Sequence, residues 1–328
     1  MKALVYTGTE QMEFRNEADP APREGEVVVR IASSGICGSD MHAFLGHDER
    51  RPAPLILGHE AAGTISSGPR SGERVVINPL VTCGTCEACA AGRNNLCPTR
   101  QIISMPPRPG AFAEYVAIPE KNLISVPDGV SDDKAALAEP IACGWHAVRL
   151  AQKVLHKPVE EVRCLVIGGG AIGTGAALVL AAHKAGHISV LEPNEARRSV
   201  VESMGSFHVA ASDDGLANGF DLVIDAVGYA ATRATASAAV RPGGVIMHIG
   251  LGSGEGGLDV RRMTLQEITF IGTYTYTPAD FAETARAIFD GRLGALDWMD
   301  VRPLAEGFGA FRDIRSGKVA APKIILKP

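Results

Sequence analysis

The chain lacks several features that would have directed its reading elsewhere. Across its 328 residues no apolar run is long: the most hydrophobic stretch, Ala176 to Ala182 and its surroundings, is soon broken by His183 and Lys184 and is too short to span a bilayer. Met1-Lys2-Ala3-Leu4-Val5-Tyr6 enters a strand-like run at once, with no apolar segment ending in a small-residue cleavage site, so a cytoplasmic protein is expected. There is no Lys/Arg run, and a formal charge of −5 with mixed signs creates no basic field. Nucleic acid and membranes are therefore not expected partners. No repeat with the roughly 20 to 50 residue period of solenoids is present. What remains is an ordinary globular balance, 46% hydrophobic and 21% charged, in a chain long enough for two domains with separate cores.

The seven cysteines carry the first positive signal. Cys83, Cys86, Cys89 and Cys97 fall within fifteen positions, with Gly84 and Gly92 to let the backbone turn. Four thiolates closing a tetrahedron make a saturated structural zinc site, although spacing alone also admits an iron–sulfur cluster. Disulfides suit neither two-residue spacings nor a reducing compartment. Cys164 lies inside a strand and Cys143 near Glu139, and both are read as packing residues.

A second constellation lies upstream, in Gly35-Ile36-Cys37-Gly38-Ser39-Asp40-Met41-His42 and Gly58-His59-Glu60. A thiolate from Cys37, an imidazole from His59 and a carboxylate from Glu60 or a later acid would give zinc three ligands and an open position. Such a site is a Lewis acid able to bind an alcohol oxygen and prepare a carbon-bound hydrogen to leave as hydride.

The texture changes near Gly144. Before it, short runs such as Ala3 to Tyr6, Glu26 to Ile31, Ala61 to Ile65 and Arg74 to Ile77 read as strands of an irregular β-domain with little helical periodicity. After it, strand and helix alternate: Val162 to Ile167, Ala176 to Ala185, Ile188 to Leu191, Ala196 to Met204, Leu222 to Asp225, Arg233 to Val240 and Val245 to Ile249. That alternation predicts a parallel sheet wrapped by helices. The tail offers helices at Phe281 to Phe289 and Ala310 to Ile314 and a closing strand at Lys323 to Leu326. The expected division is residues 1–144 with 273–328, and 145–272. Between the first strand and helix of the alternating half stands Gly168-Gly169-Gly170-Ala171-Ile172-Gly173, a G-x-G-x-x-G turn suited to a dinucleotide pyrophosphate at a helix N-terminus. Glu192, nineteen residues after Gly173, is placed to accept from the adenosine ribose and to repel a 2′-phosphate, which favours NAD over NADP. Arg197 and Arg198 stand close behind and would soften that preference.

Taken together, these motifs, with Ala138-Glu139-Pro140 and Asp225-Ala226-Val227-Gly228, resemble the zinc-dependent medium-chain dehydrogenases of the alcohol dehydrogenase superfamily over essentially the whole chain. The pattern is most similar to the sorbitol, threonine and L-idonate dehydrogenase branch, because Glu139-Pro140 stands where other alcohol dehydrogenases carry a further zinc-binding cysteine. The resemblance implies an α/β protein with a GroES-like β-rich catalytic domain, a Rossmann doubly wound parallel-sheet domain and an active site between them. It implies two zinc ions per chain, NAD, a small-molecule hydroxyl substrate and a homodimer or homotetramer joined near Ile268 to Tyr274.

By the same resemblance Cys37 and His59 bind the catalytic zinc. Glu60 binds it or supports it, and Glu139 binds it directly or holds a water on it. Asp40 orients His59, Ser39 accepts the alcohol proton and His42 passes it to water. Gly168, Gly170, Ala171, Ile172, Gly173, Glu192, Arg197, Val227 and Ile249 contact the cofactor, while Ser39, Glu139 and Tyr276 face the substrate. Two departures stand out: Thr275 occupies the place of a substrate-facing arginine, and the connection Ser66 to Gly72 is short. Arg50, Arg51 or Arg108 could then pair with a substrate carboxylate. The expected reaction is reversible oxidation of a secondary hydroxyl in a polyol or sugar acid. A threonine-type or simple secondary alcohol is the alternative. A non-catalytic cofactor-binding or regulatory protein of the same fold would have no need of Cys37, Ser39, His59 and Glu60 together.

Overall fold

The computed structural model describes residues 1–213 and 219–328. They form two compact units, one of Met1–Glu139, Thr277–Asp290 and Met299–Pro328, the other of Pro140–Tyr276 and Gly291–Trp298. Among the described residues no helix is long and apolar enough to cross a membrane.

The first unit is built on Glu26–Gly35, whose alternating burial marks it as a strand with one face in the core. In its sheet the order is Leu123–Ser125, Arg74–Ile77, Glu60–Ile65, Glu26–Gly35, Lys323–Lys327, Met299–Pro303, with Tyr115–Pro119 also paired to Glu26–Gly35. Two registers fix the surroundings of Glu60. Gly35 lies opposite Glu60 on one side and Ile325 on the other, so the last strand of the chain faces Glu60 across a residue without a side chain. Val27, Val29, Ile31, Ile65, Val75, Ile77 and Ile118 fill the core against this sheet. A second core, including Leu4, Phe44, Leu57, Phe112 and Phe311, packs around the small sheet of Lys2–Gly8, Gln11–Asn16 and Leu55–Ile56. The cysteine-rich excursion is stapled at its base, where Leu80–Val81 pairs with Gln101–Ile102.

The second unit holds a six-stranded parallel sheet in the order His208–Ala210, His187–Leu191, Arg163–Ile167, Phe220–Asp225, Val240–His248, Thr269–Gly272. Numbered within this unit, that is the 3-2-1-4-5-6 order of a dinucleotide-binding sheet. Its strands are almost continuously apolar because helices cover both faces.

Most elements stand where the sequence places them, with shifted ends. The first nucleotide-side helix starts at Ala171, inside the glycine turn, and ends at Ala182, and the strand expected at Val245 to Ile249 runs from Val240 to His248. One element was not foreseen: Ala138–Gln152 is a fifteen-residue helix, so residue 144 lies in the middle of an element. Pro140 is tolerated because the first turn has no amide partner to lose. Gly144 is a packing contact and not a breaker, since a Cβ there would lie 2.8 Å from the Cα and N of Ala176.

That contact gives a direct test. Gly144→Val forces two helix backbones apart, and overpacking of this kind costs about 1–3 kcal/mol. A urea titration should show an earlier midpoint for the variant, and an unchanged midpoint would mean the helices do not meet there.

Candidate active site

Cys37 ends the approach from Glu26–Gly35 and caps the short helix Gly38–Phe44. Asp40, three residues on, is fully buried, and its Oδ2 accepts the Cys37 amide at 3.0 Å. Its Oδ1 accepts the Gly58 amide at 3.1 Å and lies 3.6 Å from His59 Nδ1. One carboxylate thus ties two segments about twenty residues apart. Burial pushes the Asp40 carboxyl upward, but the His59 imidazole, Arg51 and the Cys37 amide together hold it below its usual range. Burial works against a charge on His59 too, yet Asp40 and Cys37 raise it well above an ordinary imidazole when no cation is present.

The result is a three-membered donor set. One ligand atom each from Cys37, His59 and Glu60 lies within 4.8 Å of the others. Glu60 stands opposite Gly35, where any Cβ would come within 2.0 Å of Glu60 Oε2. Its Oε1 accepts from Lys323 Nζ at 2.7 Å, and the same ammonium donates to Ile36 O at 2.7 Å. Oε2 lies 2.6 Å from the same ammonium, so Lys323 faces both oxygens of the carboxylate. A thiolate, an imidazole and a carboxylate form a donor set suited to an open zinc site. Glu139, in the first turn of Ala138–Gln152, is buried and adds to the negative field on Lys323. Ser39 and His42 are both half-buried and lie three apart on the helix Gly38–Phe44, so they share a face.

The four-cysteine excursion closes on itself. The sulfurs of Cys83, Cys86, Cys89 and Cys97 all lie within 4.8 Å of one another, with Cys83 and Cys97 at 3.5 Å and Cys83 and Cys89 at 3.9 Å. A zinc–sulfur tetrahedron requires about 3.8 Å between sulfurs, so the quartet fits zinc without rearrangement. The Thr85 and Cys86 amides draw the Cys83 thiol down to about 5. Cys86 moves the other way: the Cys89 amide lowers it, but burial and the neighbouring sulfurs outweigh that and push it up to about 11. Four adjacent thiolates require a cation to share. Cys164, by contrast, is pushed by burial to about 12 and is core, as read.

In the second unit the residues expected to meet the cofactor lie at the carboxyl ends of the parallel strands. Ile167 is paired with both Leu191 and Asp225, and Asp225 with His248, so Gly168, Glu192, Val227 and Ile249 follow along one edge. Gly168 has φ +99°, and a Cβ on Gly173 would lie 1.8 Å from Gly168 O, so the turn can close only without side chains. Nothing lies within 4 Å of a Cβ built on Gly170, the N-cap of Ala171–Ala182. The space over that helix start is the kind a pyrophosphate takes. Asp225 shapes the neighbouring turn by accepting from the amides of Val227 and Gly228. Glu192 is buried; its Oε2 accepts from Gly169 N at 2.9 Å and its Oε1 from Asn194 N at 2.8 Å, with Arg197 at 3.9 Å. Arg198 is committed to the carbonyls of Glu192 and Pro193.

Several residues do not play the part expected of them. Arg108 donates to Gln101 and pairs with Glu26, Arg51 is buried against Asp48 and two carbonyls, and Arg50 chelates Asp48. All three guanidiniums serve the fold, so anchoring a substrate carboxylate through them is set aside. Tyr276 is 1% exposed. Lys323 and Ser104 were not visible as site residues, because only sheet register and loop closure bring them to Glu60 and His59.

An open metal-type donor set in one unit and a dinucleotide sheet in the other define an oxidoreductase acting on CH–OH groups. The chain belongs to the zinc-containing alcohol dehydrogenase family. Residues 23–128 match the alcohol dehydrogenase GroES-like domain and residues 171–290 the zinc-binding dehydrogenase domain. It is 32% identical to the L-galactonate-5-dehydrogenase of Escherichia coli K12, covering 90% of this chain and 89% of that one. It is 33% identical to the sorbitol dehydrogenase of Bacillus subtilis 168, over 84% and 82% of the two chains. The acetophenone reductase of Geotrichum candidum, solved in complex with NAD, superposes with a TM-score of 0.89 at 26% identity, covering 100% of this chain and 97% of that one. The chain therefore lies in the polyol dehydrogenase branch of the family.

The Glu60–Lys323 pair is open to measurement. Removing one partner of a buried pair strands the other, at about 3–5 kcal/mol. Lys323→Met should therefore destabilise the metal-stripped chain by that order in urea, and by less once zinc is added, because the cation takes over part of the lost charge pairing. Equal midpoints for the stripped parent and variant would show that the pair does not hold the strand.

Proposed function

We propose that the chain oxidises a secondary hydroxyl of a polyol or aldonate to a ketone with NAD, using the Cys37, His59 and Glu60 site. The observation that carries this reading is the convergence of those three donor atoms, with Ser39 on the adjoining helix turn. When bound, zinc supplies Lewis acidity that lowers the pKa of a hydroxyl, and NAD supplies the hydride acceptor. Ser39 takes the hydroxyl proton, and His42, half-exposed one turn further along the same helix face, hands it to water. Glu139, buried at a helix start, acts beside the site and not within the donor set. Gly168 to Gly173 receive the pyrophosphate, and Glu192 favours a free ribose hydroxyl over a 2′-phosphate.

The relatives named for L-galactonate and sorbitol support this substrate class. Within it, the commitment of Arg50, Arg51 and Arg108 to internal partners favours a neutral polyol over a carboxylate-bearing one. A simple secondary alcohol is the second reading, favoured by Thr275 in place of an arginine and by the similarity to the acetophenone reductase. We also assign a homodimer or homotetramer to the edge strand Thr269–Gly272. Among the described residues that strand is paired on one side only, and Phe270, Leu251, Val260 and Leu265 of the same unit are exposed.

The test is NADH absorbance with NAD and NADP against polyols, aldonates, threonine and secondary alcohols, before and after chelation. Turnover should be greatest with a polyol and NAD, be lost with the catalytic zinc and return on its replacement. Oxidation of threonine alone, or turnover indifferent to chelation, would overturn the reading.

A further inference from the structure

We infer that Arg51 and Ser104 are positioning residues for the metal site, with the Arg51 guanidinium holding both the hydroxyl that orients His59 and the backbone turn that carries Ser39. The inference rests on the proposed role of Cys37, His59 and Glu60 as the metal ligands.

Ser104 is fully buried, and its Oγ lies 3.3 Å from His59 Nδ1. Asp40 Oδ1 is further from the same nitrogen, at 3.6 Å, and both oxygens of Asp40 already accept backbone amides. With the acceptor-only Asp40 charge beside it, Nδ1 keeps its proton, and the lone pair of the ring falls on Nε2, the nitrogen free to ligate. The nearer partner that sets the plane of the ring is thus the serine. Its backbone sharpens the point. Ser104 has φ +75°, a conformation that glycine adopts without strain and other residues adopt at a cost. What a serine adds there over a glycine is its hydroxyl.

Arg51 explains how that hydroxyl is held. It is 2% exposed, and its charge is met by Asp48 Oδ2 at 2.8 Å. Nε donates to Ser104 O at 3.0 Å, Nη2 reaches Ser104 Oγ at 3.5 Å and Nη1 donates to Ser39 O at 3.2 Å. A planar guanidinium with donors on three nitrogens can serve two carbonyls, a hydroxyl and a carboxylate together, which an ammonium cannot. The loop of Ser104 and the turn between Cys37 and Asp40 are therefore fixed to each other through one side chain, independently of any metal.

The test uses the full-length chain loaded with zinc or with cobalt, and the variants Ser104→Gly, Ser104→Ala and Arg51→Lys. The readouts are zinc affinity at each of the two sites by chelator competition, the visible spectrum of the cobalt-substituted catalytic site, and the urea midpoint. Loss of a group that supports a metal ligand typically weakens binding about 10- to 100-fold. Ser104→Gly should lose at least the lower figure at the catalytic site alone, with a changed cobalt spectrum, while its unfolding midpoint stays level or rises because the strained φ is relieved. Arg51→Lys should shift the same two metal readouts in the same direction. A purely structural role would lower the midpoint and leave the ratio of the two zinc affinities unchanged. Ser104→Gly holding the catalytic zinc as tightly as the parent overturns the inference. A parent that binds two zincs but turns over nothing in the substrate panel overturns the proposed substrate and leaves this assignment standing, whereas a parent that holds only the four-cysteine zinc overturns both.

Discussion

The catalytic unit depends on one buried carboxylate. Asp40 has no exposed surface and would be costly to bury alone, but it accepts the amides of Cys37 and Gly58 and faces the imidazole of His59. Hydrogen bonds to an ionised group contribute about 1.5–3 kcal/mol each, enough to offset much of the desolvation. Because its pKa lies below the ordinary value, this contribution is present above the usual carboxylate range and is lost as pH falls through the depressed value. The same three contacts bring a thiol and an imidazole to one place. Stability and site assembly are a single event here.

The second constraint is the end of the chain. Lys323 opens the final strand, and the pairing of that strand with Glu26–Gly35 carries its ammonium to Glu60, 263 residues away in sequence. Burial lowers the tendency of that ammonium to hold its proton, but Glu60, Cys37 and Glu139 more than restore it. Glu60 is thus held by a cation of the protein before any metal arrives. The nucleotide unit needs no such partner, because its binding edge follows from parallel strands ending in register and from a turn in which Gly168 and Gly173 leave no room for a side chain.

Local chemistry was the legible part. The four cysteines, the glycine turn and the pair formed by Cys37 and His59 are all short-range patterns, and each closes geometrically as its spacing requires. The helix Ala138–Gln152 was harder to see, because Pro140 in its first turn and Gly144 against Ala176 interrupt the apolar periodicity of a helix without ending it. The arginines show the opposite error. Read by charge alone, Arg51 and Arg108 offered themselves to a substrate, but an interior guanidinium is committed to whatever acceptors the fold places around it, and those are loop carbonyls, Gln101, Glu26 and Asp48.

By itself the sequence determined the two-part α/β architecture, the donor types and the order of the motifs, because these depend on spacings shorter than one turn-and-strand unit. It also marked the glycine turn from Gly168 to Gly173, whereas the need for a bare Gly35 beside Glu60 came from strand register. Tertiary structure alone decided that Glu60 comes together with Cys37 and His59, that Lys323 neutralises it, and that Ser104 and Arg51 stand behind the imidazole. The physical reason is the same in each case: strand register and loop closure bring together groups tens to hundreds of residues apart, and no local pattern of residue types encodes which of several acids or bases will arrive.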